Sequence, residues 1–140
     1  MNKSGPIVII DDDADDQELL QELFTELQVP NELVFLRNGH AALTFLKQPH
    51  IRPFLILSDI SMPGMNGFAL REHIMKDPDL AMKCVPFIFC TTGASLSIVS
   101  DAYRHSVQGI FQKPSNYQDW LEILKAIFQY WNQGLVPNCY

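Results

Sequence analysis

The chain has 140 residues, 47% hydrophobic and 19% charged, with 16 acidic against 10 basic side chains and a formal net charge of -6. That length supplies one globular domain with its own core and is too short for two, and the acidic balance, without clustered Lys and Arg, argues against a DNA, RNA or anionic-membrane partner. No apolar run approaches the roughly 20 residues of a spanning helix, and Met1 to Pro6 lacks the pattern of a secretory leader, so a cytoplasmic protein is expected.

In chain order, five short apolar runs read as buried strands: Ile7 to Ile10, Leu33 to Leu36, Phe54 to Leu57, Phe87 to Cys90, and Ile110 with Phe111. Segments with helical spacing lie between and after them. These are Leu19, Leu20, Leu23, Phe24 and Leu27; Ala42, Leu43, Phe45 and Leu46; Phe68, Leu70 and Ile74; Leu96, Val99 and Tyr103; and Trp120, Leu121, Leu124, Ile127, Phe128 and Trp131. Strands without in/out alternation are apolar on both faces, and strands separated by helices pair in parallel through right-handed crossovers. The expected fold is a three-layer (βα)5 α/β sandwich, a doubly wound parallel sheet. Pro86 stands ahead of the fourth strand and Gly109 ahead of the fifth, and Ser115 with Gln118 reads as a capping box opening the last helix. The domain is expected to span residues 1–133, with a frayed tail over 134–140 marked by Gly134 and Pro137.

Cys84, Cys90 and Cys139 are odd in number and lack ligand spacing, which suits reduced thiols, with Cys90 in the core. His40, His50, His73 and His105 are scattered and receive no role. Trp120 and Trp131 fall on the apolar stripe of the last helix, facing the core or a partner.

In an open parallel sheet the ligand site lies beyond the carboxyl ends of the strands. There the first strand runs into Asp11, Asp12 and Asp13, the third into Asp59, the fourth into Thr91 and Thr92, and the fifth, past Gln112, into Lys113. Acids near a helix start are favoured by its dipole, which accounts for Asp13, Asp15 and Asp16 as a solvated helix opening. It does not account for two acids directly on a buried strand end with a third at Asp59. Converging carboxylates repel one another unless protons or a hard cation neutralise them. Mg²⁺ takes oxygen ligands from one or two carboxylates and often a substrate phosphate. A carboxylate, such a cation and a lysine around one pocket suit phosphoryl transfer, in which an aspartate can be the nucleophile.

The stretches IVIIDDD (7–13), LILSDISMPGMNG (55–67), FIFCTTG (87–93) and GIFQKP (109–114) together resemble a two-component response regulator receiver domain, of the stand-alone, chemotaxis-regulator-like kind. The resemblance implies a flavodoxin-like strand order 2-1-3-4-5. It implies that Asp59 is the phosphoacceptor, that Asp12, Asp59 and the main-chain carbonyl of Ser61 ligate Mg²⁺, and that Asp11 acts through bound water. Thr91 then matches the hydroxyl that turns inward to the phosphoryl group, the Thr92 N–H binds it too, and Lys113 matches the family lysine, with a cis Lys113–Pro114 bond. Gly64 and Gly67 lie where the missing Cβ permits a positive φ or a close approach of backbone to a ligand, and Met62 and Met65 pack that loop.

One position departs from the pattern. Many receivers carry an aromatic residue three before the lysine, and here it is Ile110. Switching is therefore expected to rest on Thr91 and the loop after it, with Phe111 left in the core. Small residues at Ser61 and Gly93 leave water comparatively free to approach.

The expected function is a switch phosphorylated on Asp59 by a histidine kinase, a histidine phosphotransfer protein or a small-molecule donor. A downstream protein would be recruited on the face of the fourth predicted helix, fifth strand and last helix. Tyr130, Trp131, Leu135 and Val136 suit either a homodimer or a completed core. Three alternatives compete. An aspartyl-phosphate phosphatase would want a second acid where Ser61 stands. A phosphorylation-independent adaptor would not need Asp11, Asp12, Asp59, Thr91 and Lys113 together. A flavin protein would want a Ser/Thr/Gly-rich loop after the first strand, where this chain has Asp11 to Asp13.

Overall fold

Each uninterrupted apolar run becomes a strand of one parallel sheet. The structure, a computed structural model, describes residues 2–137, and Cys139 lies outside the described residues with the rest of 138–140. After a short 3-10 turn (Asn2–Ser4), the elements are β1 (Ile7–Ile10), α1 (Ala14–Glu26), β2 (Leu33–Leu36), α2 (Gly39–Leu46), β3 (Leu55–Ser58), α3 (Gly67–Lys76), α4 (Pro78–Lys83), β4 (Phe87–Thr91), α5 (Leu96–Arg104), β5 (Gly109–Gln112) and α6 (Tyr117–Gln133). The sheet order is β2-β1-β3-β4-β5 with every pair parallel, as expected. The central strands β1, β3 and β4 are buried at every position, and the edge strands β2 and β5 only in part.

Successive strand residues point to opposite faces, so one sheet serves two cores. Val8, Ile10, Ile56, Phe87 and Phe89 meet Ala42, Leu46, Leu70, Ile74, Leu80 and Ala102 of α2 to α5. Ile7, Ile9, Leu55, Leu57, Ile88 and Cys90 meet Leu23 and Phe24 of α1 and Trp120, Leu124 and Ile127 of α6. Each fully buried Leu, Ile or Phe contributes about 1.5–3 kcal/mol. Trp120 and Val136 are buried and Trp131 packs against the second core, whereas Tyr130 and Leu135 are exposed. Phe111 also packs, partly buried, against this second core.

Two details differ from the expectation. The sequence suggests five helices and the structure has a sixth, α4, which is six residues long and capped by Asp77 with Pro78 in its first turn. Its one buried apolar side chain, Leu80, is too little to show periodicity. The last helix is capped not by Ser115 with Gln118 but one residue later. The Asn116 Oδ1 accepts from the Asp119 N–H at 2.8 Å and its Nδ2 donates to the Asp119 carboxylate at 2.8 Å. That pair satisfies an orphan N–H and adds a carboxylate near the positive end of the helix dipole, an advantage Gln118 lacks.

Arg71 of α3 is buried and crosses to the turn after α5. Its Nε donates to the His105 carbonyl at 3.0 Å and its Nη2 to the Ser106 carbonyl at 2.8 Å, with the guanidinium carbon 5.1 Å from the Phe87 ring centroid. Gly67, the first residue of α3, is the tightest of the described glycines: a Cβ there would lie 2.5 Å from the Asp59 carbonyl oxygen and 2.8 Å from the Phe89 ring. The turn ahead of it uses Gly64 at φ +74°.

Gly67→Ala is expected to cost about 1–3 kcal/mol, since the Asp59 backbone is not a flexible end that can yield; a denaturant midpoint equal to wild type would refute the close approach. Burial pushes the Cys84 and Cys90 thiols up to about 12. Iodoacetamide should therefore leave both unmodified in the native protein and alkylate both in denaturant, as read by peptide mapping.

Candidate functional site

The strand register decides which side chains meet. Ile10 pairs with Leu36 and with Ser58, so the residues that follow β1 and β3 emerge side by side. The ladder continues one residue beyond the strands: the Asp59 N–H donates to the Ile10 carbonyl at 2.8 Å, and the Lys113 N–H to the Thr91 carbonyl at 2.8 Å. Asp11, Asp59, Thr91 and Lys113 are thereby delivered to one edge of the sheet.

Lys113 lies at the centre of the charge cluster. Its ammonium donates to Asp16 at 2.6 Å, to Asp11 at 2.8 Å and to Asp59 at 3.2 Å. Three carboxylates thus match the three donors of one ammonium. The Lys113 side chain is 7% exposed, against 4% for Asp11, 11% for Asp59 and 25% for Asp16. Burial works against the Lys113 charge, but the hydrogen bonds to Asp11 and Asp16 outweigh it and the pKa is raised. Burial likewise raises the Asp11 carboxyl, against the hydrogen bond from Lys113 that lowers it. The second Asp11 oxygen accepts from the Asp13 N–H at 2.9 Å.

Each acid has a defined place. Asp13 caps α1 through the N–H groups of Asp15 and Asp16, as the helix-start reading expects. Asp12 is exposed beside it. The Asp59 carboxylate accepts from the Ile60 N–H at 2.7 Å on one oxygen and from Lys113 on the other. Asp11, Asp12 and Asp59 each offer a carboxylate oxygen within 4.8 Å of the others, a donor set that fits a hard divalent cation. Ser61 lies in the exposed loop after Asp59. Met62 is buried and Met65 half-buried, stacked over Gly39. Thr91 is a buried strand end and Thr92 is exposed.

Two expectations need correction. Asp16, read as part of a solvated helix start, belongs to the site: at the third position of α1 its side chain leans toward the helix N-terminus and reaches Lys113, 97 residues away in sequence. Its place one turn beyond Asp12, on the first turn of the helix, was the only available signal. The Lys113–Pro114 bond is trans, the lower-energy isomer; the cis bond among the described residues is Val85–Pro86. Lys113 reaches all three carboxylates from the trans backbone.

Comparison with known proteins agrees with this geometry. The family model of the response regulator receiver domain matches residues 7–125. Response regulator Rcp1 of Synechocystis is 31% identical over 135 residues, covering 93% of this chain and 90% of its own. Chemotaxis protein CheY-3 of Vibrio cholerae is 29% identical, covering 92% and 95%. Among solved structures, the phosphorylated cyanobacterial phytochrome response regulator RcpA superposes with a TM-score of 0.85 at 27% identity over 95% of this chain and 98% of its own. The Mn²⁺-bound form of Rcp1 does so with a TM-score of 0.81 at 28% identity, over 94% and 97%. No described helix is long and apolar enough to cross a membrane. A sheet edge that gathers Asp11, Asp12, Asp59 and Lys113, and a family match across most of its length, place this chain in the response regulator receiver domain family of two-component signalling.

Proposed function

We propose that the chain accepts a phosphoryl group on Asp59 from a histidine kinase or a histidine phosphotransfer protein and passes the signal on by protein contact. Receiver domains act as phosphorylation-dependent switches between histidine kinases and downstream targets. The observation that carries the reading here is the clamp on Asp59: one carboxylate oxygen on the Ile60 N–H and the other on Lys113, at the mouth of an acidic cluster.

In the proposed reaction an Asp59 oxygen attacks the donor phosphorus. The new O–P bond forms as the N–P bond of the phosphohistidine breaks, and the imidazole leaves with the electron pair and takes up a proton. Catalysis is then mainly positioning and stabilisation of charge on the three transferred oxygens. The Lys113 ammonium supplies one positive charge to them, and the Thr91 hydroxyl and Thr92 N–H supply donors. A Mg²⁺ held by Asp12, Asp59 and the Ser61 carbonyl, with Asp11 through water, would neutralise the acidic cluster and the incoming phosphoryl charge. The Mn²⁺-bound form of the relative Rcp1 supports a divalent cation here.

The contact face in this reading is α5, β5 and α6, where Tyr103, Ile110, Phe111, Ala126, Tyr130 and Trp131 line one groove. Ile110 is partly buried against the core under α2 to α5 and offers no polar tip to expose. This leaves the Thr91 hydroxyl and the segment from Thr92 to Ser95 as the moving part. The chain is expected to act in the cytoplasm, as residues 1–133 of one domain.

Intact-mass spectrometry with Mg²⁺ and acetyl phosphate tests the reading. One phosphoryl group should add to wild type and none to Asp59→Asn; equal incorporation in both, or none in wild type, would overturn it, the latter in favour of a phosphorylation-independent adaptor. The raised Asp11 pKa sets a second expectation. The folded protein holds the Asp11 proton more tightly than the unfolded chain, so this residue favours folding where it is protonated, and that contribution is lost as pH rises through the folded pKa. Without divalent cation, Tm of the wild type should therefore fall more than that of Asp11→Asn as pH rises out of the carboxylate range. An equal or steeper fall in the variant would contradict it.

A further inference from the structure

We propose that Asp16 is a positioning residue that holds the Lys113 ammonium in the unmodified protein and releases it when Asp59 carries a phosphoryl group. This rests on the reading of Asp59 as phosphoacceptor and adds to it a second, competing anchor for the lysine.

The distances rank the competition. Asp16 makes the shortest contact to Lys113 at 2.6 Å and Asp59 the longest at 3.2 Å. With all three ammonium donors engaged, a phosphoryl oxygen gains a full hydrogen bond from Lys113 only if the ammonium shifts. A lysine is a compact charge on a flexible stem and follows the densest negative charge, which phosphorylation moves to Asp59. Of the two other contacts, the Asp16 one is the cheaper to break. Asp11 is 4% exposed and its second oxygen is fixed by the Asp13 N–H, so losing Lys113 would strand a buried charge. The Asp16 side chain is 25% exposed and stands on the first turn of α1, where water and the helix dipole stabilise a released carboxylate.

The contact therefore opposes the modified state and favours the unmodified one. It also gives the first turn of α1 a carboxylate whose partner depends on Asp59, on the side of the sheet away from α5.

Asp15, one residue earlier on the same turn, is exposed and carries the same charge, so Asp15→Asn controls for the loss of one acid near the site. Beryllofluoride with Mg²⁺ is the probe for the modified state, titrated by tryptophan fluorescence, because Trp120 lines the small cavity shared by Asp11, Asp59 and Lys113. Asp16→Asn should bind beryllofluoride about two- to fivefold more tightly than Asp15→Asn. In ¹⁵N-labelled protein, Asp16→Asn should move the Lys113 side-chain ammonium resonance without beryllofluoride and leave it near the wild-type position with it. Equal or weaker binding than Asp15→Asn, an unmoved resonance in the free protein, or an equal shift in both states would overturn the inference while the phosphoacceptor reading stands. A wild type that takes up no beryllofluoride would overturn both.

Discussion

Crowding carboxylates at the end of a buried sheet is the constraint around which this chain is organised. Asp11 and Asp59 emerge side by side because β1 and β3 are neighbours in register, and their mutual repulsion in a half-dry site is offset by one ammonium, Lys113. Lys113 itself survives burial as a charge only because those acids surround it. Neither partner is stable in its place without the other. The strand order β2-β1-β3-β4-β5 allows this pairing, with β5 bringing its lysine across from the far side of β4.

The same arrangement explains why the site is poised rather than satisfied. One positive charge faces Asp11, Asp16 and Asp59, with Asp12 close by, so the edge keeps an excess of negative charge that a divalent cation can relieve. A phosphoryl group on Asp59, as proposed, would add to that excess and call on both a divalent cation and the lysine. In that reading Lys113 is a counter-charge held in a place from which it can be drawn.

Much of this was legible in the residues, for physical reasons. The strands are apolar runs that give way to polar residues at their carboxyl ends, so Asp11, Asp59 and Lys113 announce their position by following β1, β3 and β5, and Thr91 by ending β4. The glycines divided as their chemistry allows, Gly64 taking a positive φ and Gly67 a close backbone approach. What was hidden depends on three-dimensional contact or on near-equal local choices. Asp16 looks like any acid at a helix start until Lys113, remote in sequence, is placed against it. Ser115 and Asn116 are both good caps, and only the reciprocal bond with Asp119 separates them. The helix α4 is too short for a repeating pattern. The isomer at Lys113–Pro114 leaves no trace in composition or spacing.

Arg71 has a mechanical consequence. Its two hydrogen bonds hold the carbonyls of His105 and Ser106, which close the carboxyl end of α5, to α3, whose own first residue is wedged behind Asp59. The rest of α5 is lightly held, with Ala102 its one buried side chain and Leu96 at its opening 83% exposed. A rod pinned at one end and loose at the other swings more readily than it slides. A displacement of the segment between Thr92 and Ser95 would then turn α5 in an arc about Arg71, widest at Leu96 and smallest at the pivot, which is tied to the same loop that carries Asp59.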